Sequence, residues 1–180
     1  MRRSVPDAPV AASALLAATL AMAMLDYAYG SVIWPHSLAE GGKRASGPVV
    51  VAAIEVARIF ATAAILWLGV RWAFRFPVSG AEAIWMTLPY AVALFVFELL
   101  QLATVIVAVI TGVQLYGPFF MIGYVGTLLV LIASAKVLIH DRGDWLTALP
   151  LGMAAAIGGY YVPPIVLPVA ALYLIARRFT

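Results

Sequence analysis

The chain has 180 residues, of which 65% are hydrophobic and 11% charged, with 11 Lys/Arg against 8 Asp/Glu and a net charge of +3. A soluble globular domain is nearer half apolar and a quarter charged, so so few charges cannot cover a water-soluble surface. A soluble domain, a disordered tail and a nucleic-acid partner are therefore excluded, and the basic balance is read as charge at the ends of membrane helices.

A bilayer-spanning helix uses about 20 apolar residues, and this composition supplies five or six of them. The expected fold is all-α: one polytopic transmembrane helical bundle over residues 1–180, six segments long. Cysteine is absent, which removes disulfides, thiolate metal sites and thiol catalysis. His36 and His140 lie outside the apolar segments, so neither a metal nor any other cofactor is expected.

Segment one runs from about Pro9 to Trp34. Arg2, Arg3, the run Val10 to Leu25 and Ala28-Tyr29-Gly30 resemble a signal peptide. The apolar run continues through Val32, Ile33 and Trp34, however, so an uncleaved first helix is expected. Ala14 and Ala18, like Ala17 and Ala21, stand four apart, a spacing that lets another helix approach closely. Pro35 to Gly47 reads as a polar loop with turn formers.

Segment two covers about Pro48 to Val70, with Pro48 suited to the first helical turn and Trp67 and Trp72 to interface anchors. Arg71, Arg75 and Pro77-Val78-Ser79-Gly80 form a connector. Segment three, Ala81 to Gly112, is longer than the hydrocarbon core requires, and Pro89 is expected to kink it. An uncharged turn, Gly112 to Pro118, leads to segment four, about Phe119 to Ile139, and then to the loop His140 to Asp144.

The last stretch, Leu146 to Ala176, is interrupted at Gly158-Gly159-Tyr160-Tyr161-Val162-Pro163-Pro164. It is either one kinked helix, giving five spans, or a hairpin of two short helices, giving six. With six, seven arginines (Arg2, Arg3, Arg71, Arg75, Arg142, Arg177, Arg178) share one side against Lys43 and Arg44 on the other. With five, the balance is five against four. The positive-inside rule favours six, with both termini cytoplasmic.

Five ionisable residues fall inside or at the ends of apolar segments: Asp26, Glu55, Arg58, Glu98 and Lys136. A charge at mid-bilayer costs about 2.5–3.5 kcal/mol on insertion scales, so depth decides what each one means. Lys136 can snorkel to the interface, and Asp26 lies toward the end of its segment. Arg58 lies near the centre of segment two, with Glu55 three positions earlier on the same face. Glu98 and Gln101 lie near the centre of segment three.

The expected feature is a buried cluster of Glu55, Arg58 and Glu98, with Gln101 as its hydrogen-bonding neighbour. Arginine suits the role because its planar fork can serve two carboxylates and stays charged. Such a cluster is either a clamp that fixes helix pairing or a site for a substrate, ion or proton. Asp26, Tyr160 and Tyr161 are secondary candidates, the tyrosines because broken helices can line binding sites. The sequence contains no P-loop, nucleophile elbow or paired-histidine zinc motif.

Leu115-Tyr116-Gly117-Pro118-Phe119 resembles a stretch of Yip1-family membrane proteins. There it precedes the first helix, whereas here it precedes segment four. The size, six-segment pattern and four-spaced alanines are similar to the substrate-binding component of energy-coupling-factor vitamin transporters. Neither resemblance carries residue roles onto this chain.

The leading expectation is a small non-enzymatic integral membrane protein of a prokaryotic cytoplasmic (inner) membrane, its N-terminus cytoplasmic. It would be an accessory or assembly subunit that packs against other subunits or copies of itself in the lipid bilayer. The alternative is a small transporter or transporter component, and a lipid-modifying enzyme ranks third. A closed, dry cluster would favour the subunit, and a polar cavity reaching the cluster would favour transport.

Overall fold

The computed structural model describes residues 6–33, 38–73, 75, 77–113, 116–139 and 144–178, with side chains described for 6–28, 47–72, 75, 77–113, 119–139, 144–161 and 163. Both histidines, Arg2, Arg3, Trp34, Leu115 and Arg142 lie outside the described residues, as do the side chains of Lys43, Arg44, Arg177 and Arg178.

Five helices account for the described chain: α1 (Ala8–Ile33), α2 (Leu38–Ala73), α3 (Gly80–Thr111), α4 (Tyr116–Ile139) and α5 (Trp145–Arg178). Among the described residues, four stretches are long and apolar enough to cross a membrane: Ala8–Ala28, Gly47–Trp72, Gly80–Thr111 and Phe119–Ile139.

The expected count of six segments is corrected to five. The stretch through Tyr160 and Pro164 is not a hairpin, because α5 continues across it. Each proline removes one backbone donor and leaves the carbonyl four residues earlier without its partner. A turn would free a whole set of backbone groups in apolar surroundings, where nothing replaces them. The two glycines before the prolines serve packing rather than turning. A Cβ on Gly158 would lie 2.4 Å from Ile65 Cδ1, and one on Gly159 would lie 1.9 Å from Thr62 Oγ1.

The loop expected over Pro35 to Gly47 is also shorter than expected. Helical backbone begins at Leu38, and the interruption is Gly47 itself, at φ 77° and ψ 163°. Pro48 follows in the first turn of the straight part of α2. Only glycine enters that left-handed region without a steric cost.

The start of α3 is fixed by a capping box. Ser79 Oγ accepts from Glu82 N–H at 3.2 Å, and Glu82 Oε2 accepts from Ser79 N–H at 2.8 Å. Gly112 ends the helix at φ 72°. The helix passes through Pro89 without a break. Trp67 Nε1 donates to Val78 O at 3.0 Å and ties the α2–α3 connector to α2, whereas Trp72 is exposed.

The helices close into a ring in the order α1, α3, α4, α5, α2, with α2 also touching α3 and α4. The main apolar core gathers Leu66 and Val70 of α2, Leu131, Ala135 and Ile139 of α4, and Ala148 and Leu151 of α5. A second cluster joins Leu15 and Met22 of α1 to Ile59 of α2 and Ala91 of α3. Buried hydroxyls return their hydrogen bonds to their own helices: Thr19 to Leu15 O at 2.7 Å and Thr87 to Ala83 O at 2.8 Å. The main core therefore fills one end of the ring. Along α2 and α5 the packing changes character just past it, at Thr62 and Ala156.

Candidate functional site

A cavity of about 330 Å³ lies where the main core stops, and all five helices line it. Small-molecule sites fall at about 300–1,000 Å³, so this one is at the small end of that range. From α1 come Met22 and Asp26, and from α2 come Glu55, Arg58, Ile59 and Thr62. Tyr90, Phe97, Glu98 and Gln101 face it from α3. Phe120 and Tyr124 contribute from α4, and Ala156, Gly159 and Tyr160 from α5.

Glu55 and Arg58 form an ion pair within α2, Arg58 Nη1 donating to Glu55 Oε1. The Arg58 side chain is 21% exposed and that of Glu55 13%, so the pair lies well inside the bundle without being sealed from the cavity. The guanidinium carbon of Arg58 stands 4.2 Å from the centre of the Tyr160 ring on α5. One face of the cation is thus covered by an aromatic ring, an attractive arrangement that strengthens as water is removed. Arg58 Nε is buried without a hydrogen-bond partner. An orphaned buried donor costs free energy, and here the ion pair and the ring offset that cost.

Gly159 makes the Arg58–Tyr160 contact possible. A Cβ there would fall 3.0 Å from Arg58 O as well as striking Thr62 Oγ1. Thr62 donates to Arg58 O at 3.0 Å, so its hydroxyl is turned along α2 at the point where α5 comes closest.

The opposite wall is aromatic. Phe97 and Phe120 have ring centres 5.9 Å apart, and Phe120 and Tyr124 are 6.1 Å apart and nearly parallel. Phe97 rests over Gly123, where a Cβ would lie 1.9 Å from its ring. Gln101 is 5% exposed and faces the cavity. Its backbone carbonyl accepts from Thr104 Oγ1 at 2.7 Å.

No family model, curated protein or solved structure matches this chain. The two resemblances drawn from the sequence gain no support, and the site is read from its own geometry.

Glu55, Arg58, Glu98, Gln101, Asp26 and Tyr160 all meet at this one cavity. Tyr161 does not line it. That ring packs edge-on against Tyr160 at 5.0 Å and is itself exposed. Of the expected three-member cluster, Arg58 pairs with Glu55 on its own helix, and Glu98 faces the same cavity from α3. Lys136 lies at the far end of α4, away from the cavity. Among the described residues, no group of three His, Cys, Asp or Glu is placed to hold one metal ion.

Sequence reasoning did not find the aromatic wall. Phe120 and Tyr124 stand one helical turn apart, which was the available signal. Aromatic residues at that spacing are common on lipid-facing helix surfaces, so only ring closure distinguishes them.

Proposed function

We propose that this chain is a non-enzymatic, multi-pass membrane protein that binds a small solute within the bilayer, as a small transporter or the substrate-binding component of one. The observation that carries this reading is the cavity itself. A helix-pairing clamp needs its charged residues shut between two helices, with no space beside them. Here carboxylates from three helices, one guanidinium and a buried amide face about 330 Å³ of open volume. Charged groups at membrane depth are costly and mark substrate or ion pathways.

The placement of the core supports the same reading. Leu66, Val70, Leu131, Ala135, Ala148 and Leu151 close one end of the ring. The partly exposed rings of Phe120, Tyr124 and Tyr160 lie toward the other end. A site sealed on one side and approachable from the other is what alternating access requires in one of its states.

We place the chain in the cytoplasmic membrane of a prokaryote with its amino terminus in the cytoplasm. Five crossings leave Arg2, Arg3, Arg71, Arg75 and Arg142 on that side against Lys43, Arg44, Arg177 and Arg178. The sealed end of the ring, next to Arg71 and Arg75, then faces the cytoplasm, and the cavity faces outward.

Native mass spectrometry of the full chain purified in mild detergent tests the proposal. The expected result is a bound small molecule that is lost in Glu98→Gln while the variant keeps its folded elution profile. A stoichiometric protein partner with no small molecule would overturn it in favour of an accessory subunit.

A further inference from the structure

We propose that a second pocket, between the end of α2 and the start of α3, binds the phosphate group of an anionic phospholipid. It lies about 20 Å of helical rise from Arg58 along α2, so it is separate from the solute cavity and does not depend on the reading given to that cavity.

The charge of the pocket is the first argument. An open concavity of about 460 Å³ is lined by Arg71, Arg75, Pro77, Val78 and Ser79. Two of these residues are cationic and none is acidic. Among the described residues neither arginine is paired with a carboxylate: Arg71 lies against the Trp67 ring at 5.4 Å, and Arg75 is exposed. The acid next along the chain, Glu82, is committed to Ser79, accepting from its N–H at 2.8 Å and from its hydroxyl at 3.1 Å. Two like charges sharing one pocket repel, and an anion bound between them turns that repulsion into attraction.

The floor of the pocket is the second argument. Val78 is 5% exposed and belongs to the main core, and Trp67 packs against that core. Trp67 Nε1 donates to Val78 O at 3.0 Å, and Pro77 restricts the backbone beside it. The chain passes from α2 to α3 through Arg75, at φ 49°. The arginines therefore border a surface that is held in place by the core before any ligand arrives, which lowers the cost of binding.

Depth in the membrane points to a lipid as the source of the phosphate. Trp72, at the same end of α2, is 91% exposed. Tryptophan gathers at the level of the lipid headgroups, and basic residues at that level attract anionic lipids. The planar fork of arginine suits phosphate, whose oxygens can be shared between two guanidinium groups. A phosphatidylcholine headgroup carries the same phosphate, but its quaternary ammonium would be brought up to two cations. An anionic headgroup has no such penalty.

Native mass spectrometry of the full chain, delipidated in nonionic detergent, tests the proposal with equal amounts of phosphatidylglycerol and phosphatidylcholine of the same acyl chains. The expected result is a preference for phosphatidylglycerol of about tenfold or more. Arg75→Gln should weaken that binding about fivefold, and Arg71→Gln/Arg75→Gln about twentyfold. Arg2→Gln/Arg3→Gln removes the same charge from the amino-terminal segment and should keep the preference. If the pocket double variant loses its folded elution profile, Arg75→Gln against Arg2→Gln/Arg3→Gln decides the matter. Equal binding of the two lipids, or equal losses in the two double variants, would overturn the proposal. A second arm compares thermal unfolding in millimolar sodium phosphate and in sodium chloride of matched ionic strength. Stabilisation by inorganic phosphate that needs Arg71 and Arg75, without selection of phosphatidylglycerol, would overturn the lipid as the source and assign the pocket to a soluble phosphate compound. None of these substitutions touches the solute cavity, so failure here leaves the reading of that cavity standing.

Discussion

Arg58 of α2 and Tyr160 of α5 are stacked, guanidinium over ring, at 4.2 Å. The two residues belong to opposite ends of the sequence, and their contact closes the helix ring at the level of the cavity. Arg58 is held from its own helix by Glu55 and from the facing helix by Tyr160. A cation held on two sides has little freedom to swing. The same contact explains why α5 carries glycine at 159, since any side chain there would separate the two helices before the ring reached the guanidinium.

The first prediction follows from that close approach. In Gly159→Ala the new methyl would lie 1.9 Å from Thr62 Oγ1 and 3.0 Å from Arg58 O. The hydroxyl could rotate away, but the backbone carbonyl cannot without moving α2. Overpacking of this kind costs about 1–3 kcal/mol. Thermal unfolding in detergent should show Gly159→Ala less stable than the parent, with partial recovery in Gly159→Ala/Thr62→Ala. An unchanged Gly159→Ala would show that α2 and α5 are not this close.

The second prediction concerns the ion pair. Removing Arg58 alone, as Arg58→Met, leaves Glu55 in the bundle interior without its cation, and breaking one side of a buried pair is worse than removing both. Arg58→Met should therefore be clearly destabilised, and Arg58→Met/Glu55→Gln should recover much of the loss. The coupling expected from a double-mutant cycle is about 0.5–3 kcal/mol. Additive effects of the two substitutions would show that the pair contributes no coupling of its own.

These residues also show how much was legible in the sequence. Glu55 and Arg58 could be paired from their spacing of three, and Asp26, Glu98 and Gln101 could be noticed because polar groups are rare in such apolar runs. The limits of α3 were readable in the breaker Pro77-Val78-Ser79-Gly80 and in Gly112, whose chemistry is local, although the capping partner Glu82 was not singled out. What could not be read depends on contacts distant in sequence. Tyr160 looked like part of a turn because Gly158, Gly159, Pro163 and Pro164 are turn-forming residues, and their packing against Ile65 and Thr62 appears only when α5 meets α2. Phe97, Phe120 and Tyr124 looked like ordinary apolar helix residues for the same reason. The sequence thus located the charged half of the cavity and missed the aromatic half.

The third prediction tests that aromatic half. Phe97 lies over Gly123, and a methyl added there would come within 1.9–2.0 Å of its ring atoms. In Gly123→Ala the ring must leave its seat on α4, which strains the α3–α4 contact by about 1–3 kcal/mol. Replacing the ring as well, in Gly123→Ala/Phe97→Leu, should recover stability because the leucine is smaller and more adaptable. Thermal unfolding of the three proteins checks this. A double variant no better than Gly123→Ala would place the strain elsewhere.

The fourth prediction lies outside the bundle interior, at the start of α5. Asp144 Oδ1 accepts from Thr147 Oγ1 at 2.7 Å and from Thr147 N–H at 2.9 Å, the arrangement of a helix N-cap. These bonds, first from the hydroxyl and then from the backbone, hold the Asp144 carboxyl below its ordinary value even though it is fully exposed. A carboxyl whose pKa is depressed on folding stabilises the folded state fully above its unfolded value. That contribution disappears as pH falls through the lower, folded value. Asp144→Asn can still cap the helix but does not titrate. The stability of the parent relative to Asp144→Asn should therefore be constant near neutrality and fall on acidification below about pH 4. Paired thermal melts across that range measure the difference directly. Curves that stay parallel to the acid limit would mean that the Asp144 carboxylate does not hold the first turn of α5.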